Sequence, residues 1–261
     1  MTAEGPLTDA GGVSPNAPLA ETGGVLQLDN LQRAAGFRHG FETRRGRLAD
    51  AVAGPVARLR QVHGAAVRRL PAAASEQQPF FAAALGSRPE GDALITDLPG
   101  VTVAVAVADC LPILIADPRA GAVAAVHGGW RGIAGGVLEA AIGALGSAFG
   151  SRPADLILGI GPAIGPCCFE VGEEVIEALA ARGYGEMARV EAGRPEPGSA
   201  GPRRPHCDLA AVAVAIAVDA GVPPGQIEAA GLCTRCNSDW LWSYRKDGER
   251  AGRMLCGIAR I

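Results

Sequence analysis

Residues 101–128 read VTVAVAVADCLPILIADPRAGAVAAVHG, and this stretch decides the fold. Val101–Ala108 is apolar and rich in β-branched residues, which is typical of a strand buried on both faces. Leu111–Ala116 is predicted to continue that strand past a kink at Pro112. A turn rich in Pro and Gly then leads into a second buried strand, Ala122–Val126. The region is therefore predicted to form the centre of a sheet.

Further strands and helices alternate along the rest of the chain. Leu156–Ile160 is predicted as a third strand. The spacing of apolar residues predicts helices over Ile133–Phe149, Phe169–Ala181 and Leu209–Ala220, and Asp208 is a good N-cap for the last of them. An alternation of strands and helices indicates an α/β fold.

The segments outside these elements are rich in small residues and proline. Residues 1–29 show no apolar period and are predicted to be a flexible tail, which leaves residues 30–261 as one catalytic domain. Residues 71–90 are predicted to be a loop around a short helix, and residues 191–205 a surface loop.

The composition excludes several classes of function. Of 261 residues, 48% are hydrophobic and the formal net charge is −3. This balance excludes a nucleic-acid binder that depends on bulk positive charge, and 4% aromatic residues are too few for base-stacking platforms. No run reaches the ~18 apolar residues that span a bilayer. The N-terminal sequence does not resemble a secretory signal, so a cytoplasmic protein without membrane or nucleic-acid partners is predicted.

Cysteine usage predicts reduced thiols and a metal site. The chain has seven cysteines, an odd number, and no secretory signal, so a disulfide framework is not expected. With four histidines in the chain, histidine chemistry has few residues to draw on.

Three segments contain the candidate metal-binding and catalytic residues. Cys110 follows the first predicted strand and His127 follows the second, so both side chains are expected at one edge of a sheet if the strands are neighbours. His63 lies in the segment Gln61-Val62-His63-Gly64. Two histidines and one cysteine form a three-ligand zinc set with an open position. The same residues form a trigonal copper site when a methionine is the axial ligand. The chain has only three methionines, so copper fits less well than zinc. Each residue taken alone also fits an ordinary packing role.

A glycine-rich turn spans residues 159–170. Its Gly161–Gly165 backbone could form an anion-binding nest, although spacing alone favours a tight structural turn. Cys168 is either a thiolate at a helix N-terminus or buried filler.

Two further motifs are ambiguous. Cys233-Thr234-Arg235-Cys236 is predicted to be structural packing, because no second pair has the spacing of a zinc ribbon. Tyr244 lies in a segment that is either a solvated turn or a substrate contact.

The chain resembles the bacterial polyphenol oxidase, or laccase-domain, family, whose members act as purine nucleoside phosphorylases with adenosine deaminase activity. The resemblance is carried by His39–Arg44 (HGFETR), Gln61–Gly64 (QVHG), Gly91–Ala93 (GDA), Asp109–Pro112 (DCLP), His127–Gly132 (HGGWRG), Gly161–Gly172 (GPAIGPCCFEVG), Cys233–Cys236 (CTRC) and Ser243–Arg245 (SYR).

The resemblance implies a mixed α/β fold in a single domain, with mixed sheets flanked by helices, of the laccase-domain or cysteine-hydrolase-like type. It implies that His63, Cys110 and His127 bind one zinc and carry the catalysis. The implied substrates are phosphate and the purine nucleosides adenosine, inosine, guanosine and methylthioadenosine. Candidate substrate contacts in the matched motifs are Arg44, Arg131, Gly161, Gly165, Cys168 and Tyr244, the two arginines because guanidinium binds phosphate oxygens bidentately.

The chain departs from the family pattern at one place. Residues 43–47 (TRRGR) stand where members carry a double glycine, and only residues 48–60 precede Gln61, so a substrate-covering segment is expected to be missing.

Two other functions remain open from the residues. The first is a cysteine-type amide hydrolase of cell-wall precursor editing, with Cys110 or Cys168 as nucleophile. The second is a non-catalytic binding protein with a structural zinc, which needs a fourth protein ligand from His39, His206 or Cys168.

Overall fold

The apolar runs of the chain form strands that are buried on both faces, as their composition predicts. The computed structural model describes residues 20–52, 54–190 and 205–261. Within those ranges the strands are β1 (Ala20–Thr22), β2 (Val25–Gln27), β3 (Phe37–Phe41), β4 (Val56–Ala57), β5 (Val67–Arg69), β6 (Ala93–Thr96), β7 (Thr102–Val107), β8 (Leu111–Asp117), β9 (Ala122–Gly128), β10 (Ile157–Ile160), β11 (Arg189–Val190), β12 (His206–Cys207), β13 (Ile227–Ala229) and β14 (Met254–Arg260). The helices are α1 (Asp29–Arg33), α2 (Ala74–Phe81), α3 (Trp130–Ala134), α4 (Val137–Phe149), α5 (Glu173–Ala180), α6 (Gly185–Ala188), α7 (Leu209–Asp219) and α8 (Tyr244–Asp247).

The described strands form two six-stranded sheets and a separate pair, β11–β12. The first sheet has the order β1-β2-β3-β14-β7-β4 and the second β13-β10-β8-β9-β6-β5. Both sheets are mixed, because β4–β7, β5–β6 and β10–β13 are parallel and the other pairs are antiparallel. The mixed α/β fold class is therefore confirmed.

The core has two layers, one on each face of the second sheet. Alternate residues of β8 point to opposite faces, as the period of a strand requires. Leu114 packs toward the first sheet, in a cluster with Val105 of β7. Ile113 and Ile115 pack toward the helices, in a cluster with Leu138 of α4. The second sheet thus lies between the first sheet and a helical layer, which explains its almost uniformly apolar sequence.

Most of the predicted elements are confirmed with shifted ends. The predictions for Val101–Ala108, Ala122–Val126, Leu156–Ile160 and Leu209–Ala220 correspond to β7, β9, β10 and α7. The predicted cap of α7 is also present, because the carboxylate of Asp208 accepts a hydrogen bond of 2.9 Å from the amide of Ala211. A short helix, α2, lies within residues 71–90 as expected.

The prediction that Leu111–Ala116 continues the preceding strand was wrong. Asp109 has a φ of 91°, so the chain turns there and passes from the first sheet to the second. β7 pairs with β14 and β4, whereas β8 pairs with β9 and β10. The two strands therefore face each other across the core.

Two helix predictions were wrong in their extent. The predicted helix Ile133–Phe149 is broken at Gly135 and Gly136, where a φ of 86° at Gly136 separates α3 from α4. The helix predicted from Phe169 begins only at Glu173, because residue Glu170 pairs in an extended bridge with His206.

The described part of the predicted tail, residues 20–29, has regular structure. Residues 20–29 contain β1, β2 and the start of α1, and Val25, Leu26 and Leu28 are buried in the protein. These short apolar segments lie between glycines and polar residues, so no period announces them. Residues 1–19, and residues 191–204 of the loop predicted over residues 191–205, lie outside the described part of the chain.

Among the helices of the described ranges, none has the length and apolar character needed to cross a membrane.

Candidate metal centre

The structure brings His63, Cys110 and His127 together. One ligand atom from each side chain, Sγ or a ring nitrogen, lies within 4.8 Å of the other two. Cys110 lies immediately before β8 and His127 lies near the end of β9. Because β8 and β9 are antiparallel, with Pro112 opposite His127, the start of one strand is beside the end of the other. His63 comes from the loop between β4 and β5.

The expected reason for this proximity was partly wrong. The strand before Cys110 is not a neighbour of β9 in one sheet, since β7 and β9 belong to different sheets. The turn at Asp109 brings Cys110 across to the second sheet, and the pairing of β8 with β9 then places it beside His127.

The backbone at the centre is strained in two places. His63 has a φ of 60° and Asp109 a φ of 91°, and these are the non-glycine residues with positive φ in the part of the chain that the structure describes. Each such conformation costs about 1–3 kcal/mol and persists only where surrounding contacts enforce it. Strained backbone flanking two of the three side chains is typical of a functional site.

Asp92 enforces the position of two of the three residues. Its fully buried carboxylate lies 2.8 Å from Nδ1 of His127 and accepts hydrogen bonds from the amides of His63 and Gly64, at 2.9 and 2.8 Å. Because Nδ1 of His127 is engaged, Nε2 is the nitrogen left to bind a metal. A carboxylate behind a histidine is the usual second partner of a metal-binding imidazole.

Asp109 is held by the C-terminal region. Its carboxylate accepts hydrogen bonds from the Thr234 hydroxyl, at 2.5 Å, and from the amide of Arg245, at 2.6 Å. Its carbonyl accepts a third from the amide of Ile164, at 2.9 Å. Three segments distant in sequence therefore fix the residue that precedes Cys110.

The charges of the group favour a thiolate. Burial by itself would raise the pKa of Cys110, but hydrogen bonds and attraction from His127 and His63 lower it below its usual range. Burial would likewise lower the pKa of His127, but Asp92 and the Cys110 sulfur raise it. A thiolate is the form of cysteine that binds metals and attacks electrophiles.

Gly129 keeps one side of the centre clear. A Cβ there would lie 3.0 Å from Cδ2 of His63 and 3.5 Å from Sγ of Cys110. The three donors with an open side fit a catalytic zinc site, which has three protein ligands and leaves a position for water or substrate. Two nitrogens and one sulfur also suit zinc chemically.

The three residues considered as a fourth ligand all lie elsewhere. Nε2 of buried His39 accepts a hydrogen bond from the amide of Leu28. His206 belongs to β12, and Cys168 contacts Cys236 at 3.5 Å. Within the described ranges this candidate metal-ligand group therefore has three members, as an open site requires.

The predicted phosphate-binding arginines have different surroundings. Arg44 donates to the carbonyl of Leu241 and forms an ion pair of 2.6 Å with Asp247, and its guanidinium lies 3.8 Å above the Trp242 ring. Arg131 is exposed, its guanidinium lies 4.3 Å above the Trp130 ring, and it has no ion pair among the residues described. Arg131 follows Gly129 by two positions, so it is close to the centre in sequence.

Of the two interpretations of Gly161–Gly165, the hydrogen bonds favour the tight structural turn over the anion nest. The Gly161 amide donates to the carbonyl of Pro112 and the Ile164 amide to that of Asp109, so both N–H groups are used within the protein. The absence of a side chain at Gly161 has a packing reason, since a Cβ would lie 2.2 Å from the Phe41 ring.

The remaining predicted contacts are placed as follows. Gly165 packs against Cys233, and Cys168 does not begin a helix, because α5 starts at Glu173. Burial and neighbouring thiols raise the pKa of Cys168 to about 11 rather than lowering it. Tyr244 is exposed and its hydroxyl donates to Glu249 at 2.8 Å.

Sequence reasoning missed two features. Asp92 belongs to the Gly91–Ala93 motif, but nothing local in the sequence indicates that its carboxylate is buried against His127. Cys233 and Cys236 are also not a lone pair, because Cys167 and Cys168 join them in a four-cysteine group.

Comparisons with known proteins identify the family of the chain. Residues 30–261 match the family model described as multi-copper polyphenol oxidoreductase laccase. A purine nucleoside phosphorylase of Deinococcus radiodurans is 36% identical, over 99% of this chain and 94% of its own length. An adenosine deaminase RL5 from an unknown prokaryotic organism is 37% identical, over 65% of this chain and 62% of its own length.

The purine nucleoside phosphorylase YlmD of Geobacillus stearothermophilus is 34% identical over 83% of this chain and 77% of its own length. Its crystal structure superposes with a TM-score of 0.76, covers 92% of this chain and 97% of that chain, and is 28% identical over the superposed residues. The two-sheet arrangement is therefore shared with a solved structure.

Proposed function

The chain belongs to the multi-copper polyphenol oxidoreductase laccase family, and from that premise we propose that it is a zinc-dependent purine nucleoside phosphorylase that also deaminates adenosine. The names of the relatives in Deinococcus and Geobacillus support the first activity, and the name of RL5 supports the second. The proposed substrates are adenosine, inosine, guanosine and methylthioadenosine, with phosphate as the second substrate.

The observation that carries the proposal is the open three-residue centre backed by Asp92. We assign the metal to His63, Cys110 and His127, which the structure brings within 4.8 Å of one another. When bound, zinc would lower the pKa of a water molecule and supply hydroxide near neutral pH. The protein's own part is to hold the donors in place before substrate arrives, which Asp92 does for His127 and for the loop of His63.

Both proposed reactions need the open side at Gly129. In deamination, oxygen from water bonds to C6 of the purine and the C6–N6 bond breaks, releasing ammonia. In phosphorolysis, a phosphate oxygen bonds to C1′ of the ribose as the bond to N9 breaks and the purine leaves. A Cβ at position 129 would crowd His63 and Cys110, so glycine keeps a side chain off this side of the centre.

Arg131 is the better of the two candidate phosphate ligands. Arg44 already forms an ion pair with Asp247, whereas the guanidinium of Arg131 is exposed. A free planar guanidinium can meet two phosphate oxygens at once.

A laccase activity is not proposed, despite the family's description. A multicopper cluster needs more imidazoles than a chain with four histidines supplies. His39 is buried and bonded to the Leu28 amide, which leaves fewer still.

The nucleoside assay tests the proposal directly. The full chain, loaded with zinc, is incubated with adenosine with and without phosphate, and the products are separated. We expect inosine in both reactions, and adenine and ribose 1-phosphate only with phosphate. Cys110→Ala and His127→Ala should lose deamination while remaining folded, and Cys207→Ala, a buried thiol outside the centre, should retain it. No purine product under any condition would contradict the proposal.

A second candidate is an amide hydrolase with Cys110 as nucleophile. One observation favours it: Cys110, His127 and Asp92 are arranged as a nucleophile, a base and an orienting carboxylate. A cysteine hydrolase has no need for His63 beside the same thiol, so the metal function is preferred.

Alkylation distinguishes the two candidates. Iodoacetamide should modify Cys110 slowly in the zinc-loaded protein and rapidly after chelation, as followed by mass spectrometry. Rapid modification that a chelator does not change, with nucleoside activity equally insensitive to chelation, would favour the hydrolase.

A further inference from the structure

Four cysteine sulfurs form a second cluster, whose members are distinct from His63, Cys110 and His127. Cys167, Cys168, Cys233 and Cys236 place their Sγ atoms within 4.8 Å of one another. The Sγ of Cys236 lies 3.6 Å from that of Cys167 and 3.5 Å from that of Cys168. We propose that these four thiolates bind a structural zinc ion, which stabilises the two loops that hold Asp109 beside Cys110.

The sulfur separations match a tetrahedral metal site. With Zn–S bonds of about 2.3 Å, the sulfurs at the corners of a tetrahedron are about 3.8 Å apart. A disulfide needs about 2.05 Å between sulfurs. All four cysteines are free thiols in the structure, and four sulfurs converge where a disulfide would need two.

The backbone is built to bring the two pairs together. Ala163 bridges to Cys233, and the amide of Thr234 donates to the carbonyl of Ala163 at 2.9 Å. Gly165 permits the approach, because a Cβ there would lie 3.2 Å from Cβ of Cys233 and 3.6 Å from Sγ of Cys167. A side chain at position 165 would push the two loops apart.

The cluster also has the hydrogen bonds that metal thiolates use. The amides of Gly165 and Cys236 donate to the sulfur of Cys233. The carbonyl of Cys233 accepts both the backbone amide and the side-chain amide of Asn237. Such bonds to ligating sulfurs and to their loops fix the ligands and moderate their charge.

Access for a metal is also present. Cys168 and Cys233 are buried, whereas Cys167 and Cys236 are exposed. Cys167 and Cys233 border a cavity of about 1060 Å³ beside α7. The cluster therefore has two buried sulfurs and two that an ion can reach from solvent.

A zinc ion here would act on the other centre through Thr234. Thr234 lies inside the Cys233–Cys236 turn, and its hydroxyl holds the carboxylate of Asp109, the residue before Cys110. From the other loop, the amide of Ile164 holds the carbonyl of Asp109. Both loops that a zinc would join thus meet at Asp109, which has a strained φ of 91°.

Metal content of the full chain tests the proposal. The protein is purified under reducing conditions without chelator, and the number of zinc ions per chain is measured by elemental mass spectrometry. We expect about two zinc ions in the wild type, one after Cys236→Ser or Cys167→Ser, one after Cys110→Ser, and two after Cys256→Ala, a buried thiol outside both clusters. A wild type that holds one ion and loses it with Cys110→Ser would overturn the proposal, as would a Cys236→Ser variant with two.

Cobalt replacement gives a readout that does not depend on folding of the Cys236 variant. In Cys110→Ser loaded with cobalt, an intense sulfur-to-cobalt charge-transfer band with four thiolate ligands is expected. A peptide map showing a disulfide between Cys236 and Cys167 or Cys168 in protein kept reduced, with no such band, would also overturn the proposal. Both readouts are independent of nucleoside activity, so failure of the second zinc site is distinguishable from failure of the proposed function.

Discussion

The carboxylate of Asp92 lies 2.8 Å from Nδ1 of His127, and both side chains are buried. The same carboxylate accepts the amide of His63, so one acidic residue fixes a side chain on a strand and a loop 29 positions earlier. Asp92 therefore positions His127 and the His63 loop without the help of a metal.

Asp92→Asn is expected to weaken zinc binding by about 10–100-fold, because loss of a carboxylate behind a metal-binding histidine has that effect. Competition with a coloured chelator measures the affinity. Asp97→Asn, which alters an exposed carboxylate near Arg69, is the matched control and should leave it unchanged. Equal affinity in all three proteins would contradict the role given to Asp92.

Gly129→Ala is expected to reduce zinc affinity and both nucleoside reactions, because the new Cβ would stand 3.0 Å from His63. Gly143→Ala is the control: position 143 lies inside α4 with nothing within 4 Å of an added Cβ, so it should stabilise the protein by up to about 1 kcal/mol. Thermal unfolding and zinc titration separate the two effects. Full zinc affinity in Gly129→Ala would show that the open side is not needed for binding.

Arg131→Lys is expected to lower phosphorolysis by about 10-fold or more and to leave deamination within about 2-fold. Lysine keeps the charge but loses the fork that matches phosphate, and deamination uses no phosphate. Rates of both reactions on adenosine measure the split. In Arg44→Lys the lost stacking on Trp242 should reduce stability instead. An equal loss of both reactions in Arg131→Lys would indicate a structural role.

Thr234→Val is expected to lower kcat by about 10-fold with little change in KM, because the hydroxyl no longer holds Asp109 beside Cys110. Thr234→Ser retains the hydroxyl and should restore the rate. Steady-state kinetics with adenosine at saturating zinc provide the measurement. If Ser fails to rescue while Val is folded, the hydrogen bond is not the cause.

His39 makes stability depend on pH in a defined window. Burial lowers its pKa from 6.5 to about 4, so between these values the unfolded chain binds a proton that the folded protein does not. The free energy of unfolding should therefore fall by about 3 kcal/mol from this residue as pH drops from 6.5 to 4, with no further contribution below. His39→Gln should lose this part of the slope in urea unfolding series. Identical slopes in the two proteins would contradict the assignment.

The correctly predicted parts of the fold are those for which a short stretch of sequence determines the secondary structure. β7, β9 and β10 are β-branched apolar runs, and Asp208 is an ordinary cap, so short windows suffice. β8 was placed in the wrong sheet because the reversal depends on one dihedral angle at Asp109, which its side chain does not announce. A sequence pattern therefore predicts the strands themselves but not the backbone conformation of the residues that connect them.

The same limit applies to the two clusters. His63, Cys110 and His127 could be grouped because each lies in a short motif that also contains glycine or proline. The four-cysteine cluster could not, because Cys168 and Cys233 are 65 positions apart and pairing such as the bridge between Ala163 and Cys233 brings their loops together. Long-range pairing of this kind has no local signal.

The place of β14 in the first sheet has a consequence for synthesis on the ribosome. β14 pairs with β3 on one side and β7 on the other, so both strands keep an unsatisfied edge until residues 254–260 leave the exit tunnel. The β7–β14 pairing closes a span of roughly 150 residues, a separation that slows folding. Nascent chains that stall before residue 254 therefore present two apolar strand edges, which makes them clients for chaperones and substrates for proteolysis.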